Sequence, residues 1–452
     1  MSARLRRSLT LARWLLPGLG VKRWLLLAVI GTALFVNGIS RYLTDQGQTL
    51  RVNELVDSLV AEFFAPVYLS YVFIGVGALL AAFGIWRWLT AIVSAVTPQG
   101  SNRILDAVMQ RRLQQGYRIV VVGGGTGLST MLRGLKKVTT NLTAVVTVTD
   151  DGGSSGRLQK ELGVLPPGDI RNCLVALADD EALVTELFRY RFAEGEGLSG
   201  HSFGNLFLAA MTGITGNFDE AIKVSSRVLN VKGRVLPSTL AAARLCAQLD
   251  DGTIVEGESQ ISSAGGSIAR VFLDPPFAKP LEDVVSAIRE ADAIVLGPGS
   301  LYTSIMPNLL VDRVAREIEA SNAVKIYVCN VMTQPGETDG YTAADHVRAL
   351  TQGSDAKLCD VAIVNDELPR KLRDAYAVEG QLPVRVDEDA LRALGVRVVK
   401  ADVISETLTV RHDPDRLAAV VMAVIDEAVA ARASYVRFRP NSGGTAAGPA
   451  TA

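Results

Sequence analysis

Two uncharged apolar runs open the chain, Trp24 to Ile39 and Phe63 to Trp86. The first is about as short as a membrane-spanning helix can be, since roughly 17–25 residues are needed. The second is long enough to span with some tilt. Aromatic residues flank it, with Phe63, Phe64 and Tyr68 at one end and Trp86 and Trp88 at the other, as interfacial anchors do. From Tyr117 the pattern changes. Short β-branched runs at 118–122, 142–149, 293–296, 323–329 and 361–364 read as buried strands. Helical stretches are expected at 128–137 and around 171–194, 202–213 and 217–229. Residues 241–260 read as a hairpin turning at Asp251-Gly252. Strands alternating with helices predict an α/β fold, a mostly parallel sheet covered on both faces.

Charge next to the apolar runs sets their orientation. Residues 1–23 carry Arg4, Arg6, Arg7, Arg13, Lys22 and Arg23 and no acid. The loop 41–62 has more acids than bases, and residues 87–118 carry five arginines and one acid. The positive-inside rule then puts both ends in the cytoplasm. Two other readings of this region stay open at the level of sequence. The first run resembles a signal peptide, although no clear small-residue cleavage site follows it, and both runs have the composition of buried core helices. The organisation expected is a membrane region at 1–96 with helices at about 24–39 and 63–86, a linker at 97–116, an α/β domain at 117–435 and a disordered tail at 436–452.

Composition narrows the classes. Mean hydropathy is +0.25, which fits the spanning segments. The 46 basic and 47 acidic residues nearly cancel, so no nucleic-acid partner is indicated. Cys173, Cys246, Cys329 and Cys359 are scattered and read as reduced, buried thiols. Three histidines make a histidine-rich metal site an unlikely design, leaving a carboxylate-held Mg²⁺ as the open metal option.

Six loops carry candidate chemistry. Gly123-Gly124-Gly125-Thr126-Gly127 follows a strand and opens a helix, where bare backbone and free N–H groups favour a phosphate. It matches neither the dinucleotide fingerprint nor the P-loop. Thr149 to Arg157 follows the second strand. Its Asp150 and Asp151 are candidate ligands for Mg²⁺ or a ribose, and Ser154 and Ser155 for phosphate oxygens. Asp169, in Pro166 to Asn172, is placed to cap the helix that follows or to act in catalysis. His201 precedes Ser202 and Asn205 and is a candidate phosphate contact or proton donor. Gly297-Pro298-Gly299-Ser300 follows another buried strand, so two glycine-rich loops are expected to converge at a topological switch point. Asn330 and Thr333 follow the next strand and are placed to bond a base or sugar, and Thr342 with Asp345 forms a helix-cap pattern.

Taken together, GGGTGLS (123–129), TDDGGSSGRL (149–158), PPGDIRNCL (166–174), HSFGNL (201–206), LGPGSLYTSI (296–305) and CNVMTQPGETDGY (329–341) resemble the gluconeogenesis-factor branch of the CofD-like family. The other branch comprises the 2-phospho-L-lactate transferases of deazaflavin biosynthesis. The resemblance spans about 118–432 and implies a Rossmann-like three-layer fold. It further implies a bacterial protein that binds a UDP-sugar, or another nucleotide diphosphate, and regulates cell shape and cell-wall-linked metabolism on gluconeogenic carbon. A Mg²⁺-dependent transferase is the alternative, with Asp150, Asp169 and His201 as candidate catalytic residues. By the same resemblance Gly124, Thr126, Gly127 and Ser300 face the diphosphate, while Asp150 and Asp151 face metal or ligand. Gly125, Asn172, Asn205, Gly297, Gly299, Tyr302 and Asn330 complete the expected ligand set. Self-association is left open. The location implied is a bacterial cell membrane, with the α/β domain in the cytoplasm.

Overall fold

The computed structural model describes residues 21–45, 66–96, 113–367, 376, 378, 380–406 and 410–438. Of the tail expected at 436–452, residues 436–438 instead close the helix Pro414–Phe438, and 439–452, most of the linker, and Phe63 and Phe64 lie outside the described residues. The chain divides into two compact units, 1–108 and 109–452.

The first unit holds helices α1 (Val21–Asp45) and α2 (Pro66–Val96). Within them, Trp24–Leu43 and Ser70–Thr90 are long and apolar enough to cross a bilayer. The pair is antiparallel and in close contact. A β-carbon on Gly31 would lie 2.3 Å from the Ala81 nitrogen, one on Gly77 2.4 Å from the Phe35 nitrogen, and one on Gly84 2.6 Å from the Ala28 nitrogen. Glycine lets the two backbones approach this closely. Large apolar side chains point the other way, with Leu26, Tyr68 and Leu79 well exposed.

In the second unit, seven parallel strands form one sheet in the order β10-β9-β8-β7-β1-β2-β3. They are β1 (Ile119–Gly123), β2 (Leu142–Val146), β3 (Arg234–Pro237), β7 (Ala293–Leu296), β8 (Val324–Val328), β9 (Val361–Asn365) and β10 (Arg397–Ala401). Strands β1, β2, β7 and β8 are buried at every position, as expected when helices cover both faces. Alternate residues feed two cores. Val120, Val122, Ile294 and Leu296 pack with Leu301, Ile305 and Leu309. Ile119, Val121 and Val295 pack on the opposite face with Leu128, Leu132, Leu174 and Leu417.

The expected hairpin forms: β4 (Arg244–Leu249) pairs antiparallel with β5 (Ile254–Glu256), and β6 (Ile268–Asp274) adds a third strand. A small antiparallel pair, β11 (Ile404–Glu406) and β12 (Val410–His412), lies ahead of the C-terminal helix Pro414–Phe438. The cap pattern at Thr342 is a full capping box, with reciprocal bonds to Asp345. Two local expectations are corrected. The Gly153 stretch is not a loop but helix α4 (Gly153–Leu162), which follows α3 (Gly125–Leu135) in the chain. Helix α5 (Gly168–Leu177) is preceded by Pro167, with no side-chain cap, so Asp169 does not cap its own helix.

Candidate functional site

The sheet order reverses between β1 and β7, which makes their carboxyl ends the switch point of the fold. The loops leaving these two strands touch. A β-carbon on Gly127 would lie 2.5 Å from the Pro298 carbonyl oxygen, and one on Gly299 3.4 Å from the Gly124 oxygen. Gly125 and Gly297 have φ of 65° and 83°, a region that favours glycine. Asn308 ties the loops together. Its Nδ2 donates to the Gly123 oxygen at 3.1 Å and to the Ser304 oxygen at 2.8 Å. Gly124 precedes α3 without any side-chain cap. Part of that capping role falls to Asp169, whose carboxylate accepts the Gly125 N–H from across the fold.

A cleft of about 480 Å³ opens over these loops, within the size range of small-ligand sites. Gly124, Gly125, Thr126, Gly127, Gly299, Ser300 and Asn330 line it, as do Thr130, Ser304, Gln334, Met332 and His412. Gln334 donates to Ser300 Oγ at 2.7 Å and accepts from Asn330 at 3.2 Å, so the third wall is braced to the second loop. Two expected ligand residues are corrected. Tyr302 packs in the hydrophobic core, its hydroxyl 2.8 Å from that of Tyr341. Gly297 shapes the turn under Ile305 and does not line the cleft.

Asp150, Ser154, Ser155, Asn172, His201 and Asn205 gather elsewhere, on the β2 side of the first loop. Ser154 Oγ lies 2.9 Å from His201 Nδ1 and accepts from Asn205 Nδ2 at 3.1 Å. A β-carbon on Gly168 would strike both Ser155 Oγ and Asp150 Oδ2. Arg171 donates to Ser202, Asn205 and Asn172.

Glu258 is a site residue that sequence reasoning missed. It starts a one-turn helix, Glu258–Ile261, just beyond β5, and reaches the cleft from there. Nothing local to the sequence marks it. Burial first, and then repulsion from Asp169, Asp150, Glu337 and Asp151, push its carboxyl up to about 9. Burial also raises Asp169 to about 6, opposed by its bond from Gly125. Both acids therefore hold protons more readily than ordinary carboxylates.

Asp150 and Asp151 do not form a ready metal cage. Asp150 accepts the Gly152 N–H and Asp151 the Ser259 N–H, each at 3.0 Å. Among the described residues, no three His, Cys, Asp or Glu side chains are grouped to hold a metal ion.

The family model described as 2-phospho-L-lactate transferase CofD matches residues 119–404. A Bacillus subtilis protein named gluconeogenesis factor is 50% identical, the match covering 69% of this chain and 99% of the relative. A relative from Nostoc sp. is also 50% identical, over 91% of each chain. The crystal structure of a Bacillus halodurans protein matches with a TM-score of 0.66 and 51% identity, covering 68% of this chain and 99% of that one. With its parallel sheet, its paired glycine loops and these relatives, the chain belongs to the CofD family, in the branch whose curated relatives are named gluconeogenesis factor.

Proposed function

We propose that the chain is a membrane-tethered regulator that binds a nucleotide sugar, a UDP-sugar by the branch it belongs to. The observation that carries this reading is the contact of two glycine-rich loops at the switch point. Backbone amides at the start of α3 lie open to the cleft there, and Ser300 stands opposite. A diphosphate is the ligand chemistry suited to bare amides at a helix start. Asn330, Gln334 and the apolar Val331 and Met332 then offer a wall for the nucleoside. Through that ligand the protein couples cell shape and cell-wall metabolism to growth on gluconeogenic carbon.

The N-terminal hairpin is read as the membrane anchor. Its outer surface is apolar and its inner seam is glycine, the reverse of a water-soluble helix pair. The basic flanks support a cytoplasmic side for the α/β unit. A second reading, a Mg²⁺-dependent transferase, draws on Glu258 and Asp169, two acids whose raised proton affinity suits proton transfer near neutral pH.

Calorimetry on the full chain in detergent separates the two readings. The ligands are UDP-N-acetylglucosamine, UDP-glucose, UDP and GDP, each with and without Mg²⁺. Saturable UDP-sugar binding with no ligand consumed is the expected result. Mg²⁺-dependent consumption, or a preference for GDP, would move the assignment to the transferase.

A further inference from the structure

Three arginines, Arg157, Arg171 and Arg191, bond the segment that carries His201, and among the described residues none of them forms an ion pair with a carboxylate. Arg157 sends both terminal nitrogens to the Ser199 carbonyl oxygen at 3.0 Å, and Arg191 donates to the Gly200 oxygen at 2.8 Å. Arg171 reaches only the neutral oxygens of Ser202, Asn205 and Asn172, and its buried Nε has no acceptor. Burial first, and then Arg191 and Arg189, disfavour the charge on Arg171, while Asp169 and Asp150 favour it without bonding it. Burial first, and then Arg157 and Arg191, disfavour a charge on His201, with Glu161 opposing. Several arginines elsewhere in this unit do meet acids, as in Arg133 with Glu181, Arg289 with Glu317 and Arg397 with Glu427. Grouped, unpaired guanidinium ions repel one another, and a cluster of this kind is stabilised by an anion.

Ser154 Oγ accepts from Asn205 Nδ2 at 3.1 Å and lies 2.9 Å from His201 Nδ1, which ties the imidazole to the segment that Arg171 bonds. Asp169 and Asn172 flank Arg171 along helix α5, and Asp169 holds the Gly125 amide of the first glycine loop. Arg171 thus lies two residues after Asp169, which meets the first glycine loop, and the Asp169 Oδ2 would lie 2.5 Å from a β-carbon on Gly124.

Resting on the nucleotide-sugar reading above, we propose that Arg157, Arg171 and Arg191 with His201 form a second anion subsite, which binds a carboxylate carried on the sugar of the bound sugar nucleotide. The planar guanidinium fork matches a carboxylate in two-point geometry. The neighbouring Asp150 and Asp169 favour a monoanion over a more highly charged group.

Full-length protein in detergent is titrated calorimetrically with inorganic pyrophosphate, UDP-glucose and UDP-glucuronic acid. The two sugar nucleotides differ only in the carboxylate. The glucuronate is expected to bind about fivefold tighter than the glucoside, an advantage lost at high salt. The double variant Arg157→Gln/Arg191→Gln, checked for an unchanged melting temperature, equalises the two ligands and leaves UDP-glucose and pyrophosphate affinity intact. Arg157→Lys/Arg191→Lys retains part of the preference. If pyrophosphate and UDP-glucose bind but the glucuronate gains nothing, or its gain survives the double Gln variant, the subsite is refuted while the nucleotide-sugar reading stands. If none of the three binds, both fall.

Discussion

The two units of this chain bury opposite kinds of residue. In the α/β unit the sheet's interior is branched and aliphatic, and Val121, Val295 and Leu128 are completely enclosed. In the helical hairpin the enclosed seam is glycine and alanine, while Leu79 is 73% exposed and Leu26 63%. Water drives apolar side chains inward, but lipid tails are as apolar as leucine and give no such drive. Close backbone approach then decides what lies inside. With the hairpin as the proposed membrane anchor, the two units face different solvents, and the difference lies in what each unit hides.

The largest expected effect falls in the core bathed by water. Leu128→Ala, at the start of α3, is expected to cost about 2–5 kcal/mol in the chemical unfolding of the α/β unit. A loss of less than about 1 kcal/mol would mean that this core is loosely packed.

Next comes the charge problem that the same low-dielectric interior creates. Glu258 holds its proton to about pH 9 in the folded state, against an ordinary glutamate value of 4.5. Between those values the unfolded chain ionises while the folded one stays protonated, so this group makes stability fall as pH rises. Glu258→Gln removes the penalty. Relative to wild type the variant is expected to gain about 1–3 kcal/mol at pH 9 and little at pH 4.5. Thermal melts across that range read the difference, and parallel pH profiles would remove Glu258 from the buried acid group.

The hairpin supplies the inverse and smaller effects. Leu79→Ala removes a large side chain from its outer face and should change hairpin stability in a bilayer by no more than about 0.5 kcal/mol. Gly77→Leu adds one on the inner seam, where a β-carbon already lies 2.4 Å from the Phe35 nitrogen, and is expected to part the helices. Spin labels on α1 and α2 report that separation. A tolerated Gly77→Leu combined with a damaging Leu79→Ala would turn the hairpin into a water-soluble pair and overturn the anchor.

What the sequence made legible follows the range of the interactions concerned. Strands β1 and β7 are readable because full burial writes an unbroken apolar run, and β8 and β9 because their runs are interrupted only by Lys325 and by the terminal Asn365. The glycine loops and the Thr342 cap were readable because their cause lies within a few residues. β3, at Arg234–Pro237, was missed because four residues ending in proline carry little strand signal. Helix α4 was missed because its glycines and serines have low helix propensity and its place is set by packing. Asp169 was assigned to the wrong cap, since its partner amide is 44 positions away at Gly125. Glu258 and the arginine group around His201 had no local signature at all, because each is assembled from distant segments. Tyr302 followed a glycine loop in sequence, yet the π-turn at Leu301–Ile305 folds it into the core.

The central claim is that the two glycine loops at the β1/β7 switch point hold the diphosphate of a sugar nucleotide. It is tested most directly by titrating UDP-N-acetylglucosamine into the full-length wild type and into Gly127→Val, with circular dichroism as the check on folding. A valine β-carbon there would lie 2.5 Å from the Pro298 oxygen, closing the approach to the loops. The account predicts saturable binding to the wild type that falls at least about 100-fold in a folded Gly127→Val, as expected when a ligand's backbone contacts are blocked. Equal affinity for the two proteins would contradict it.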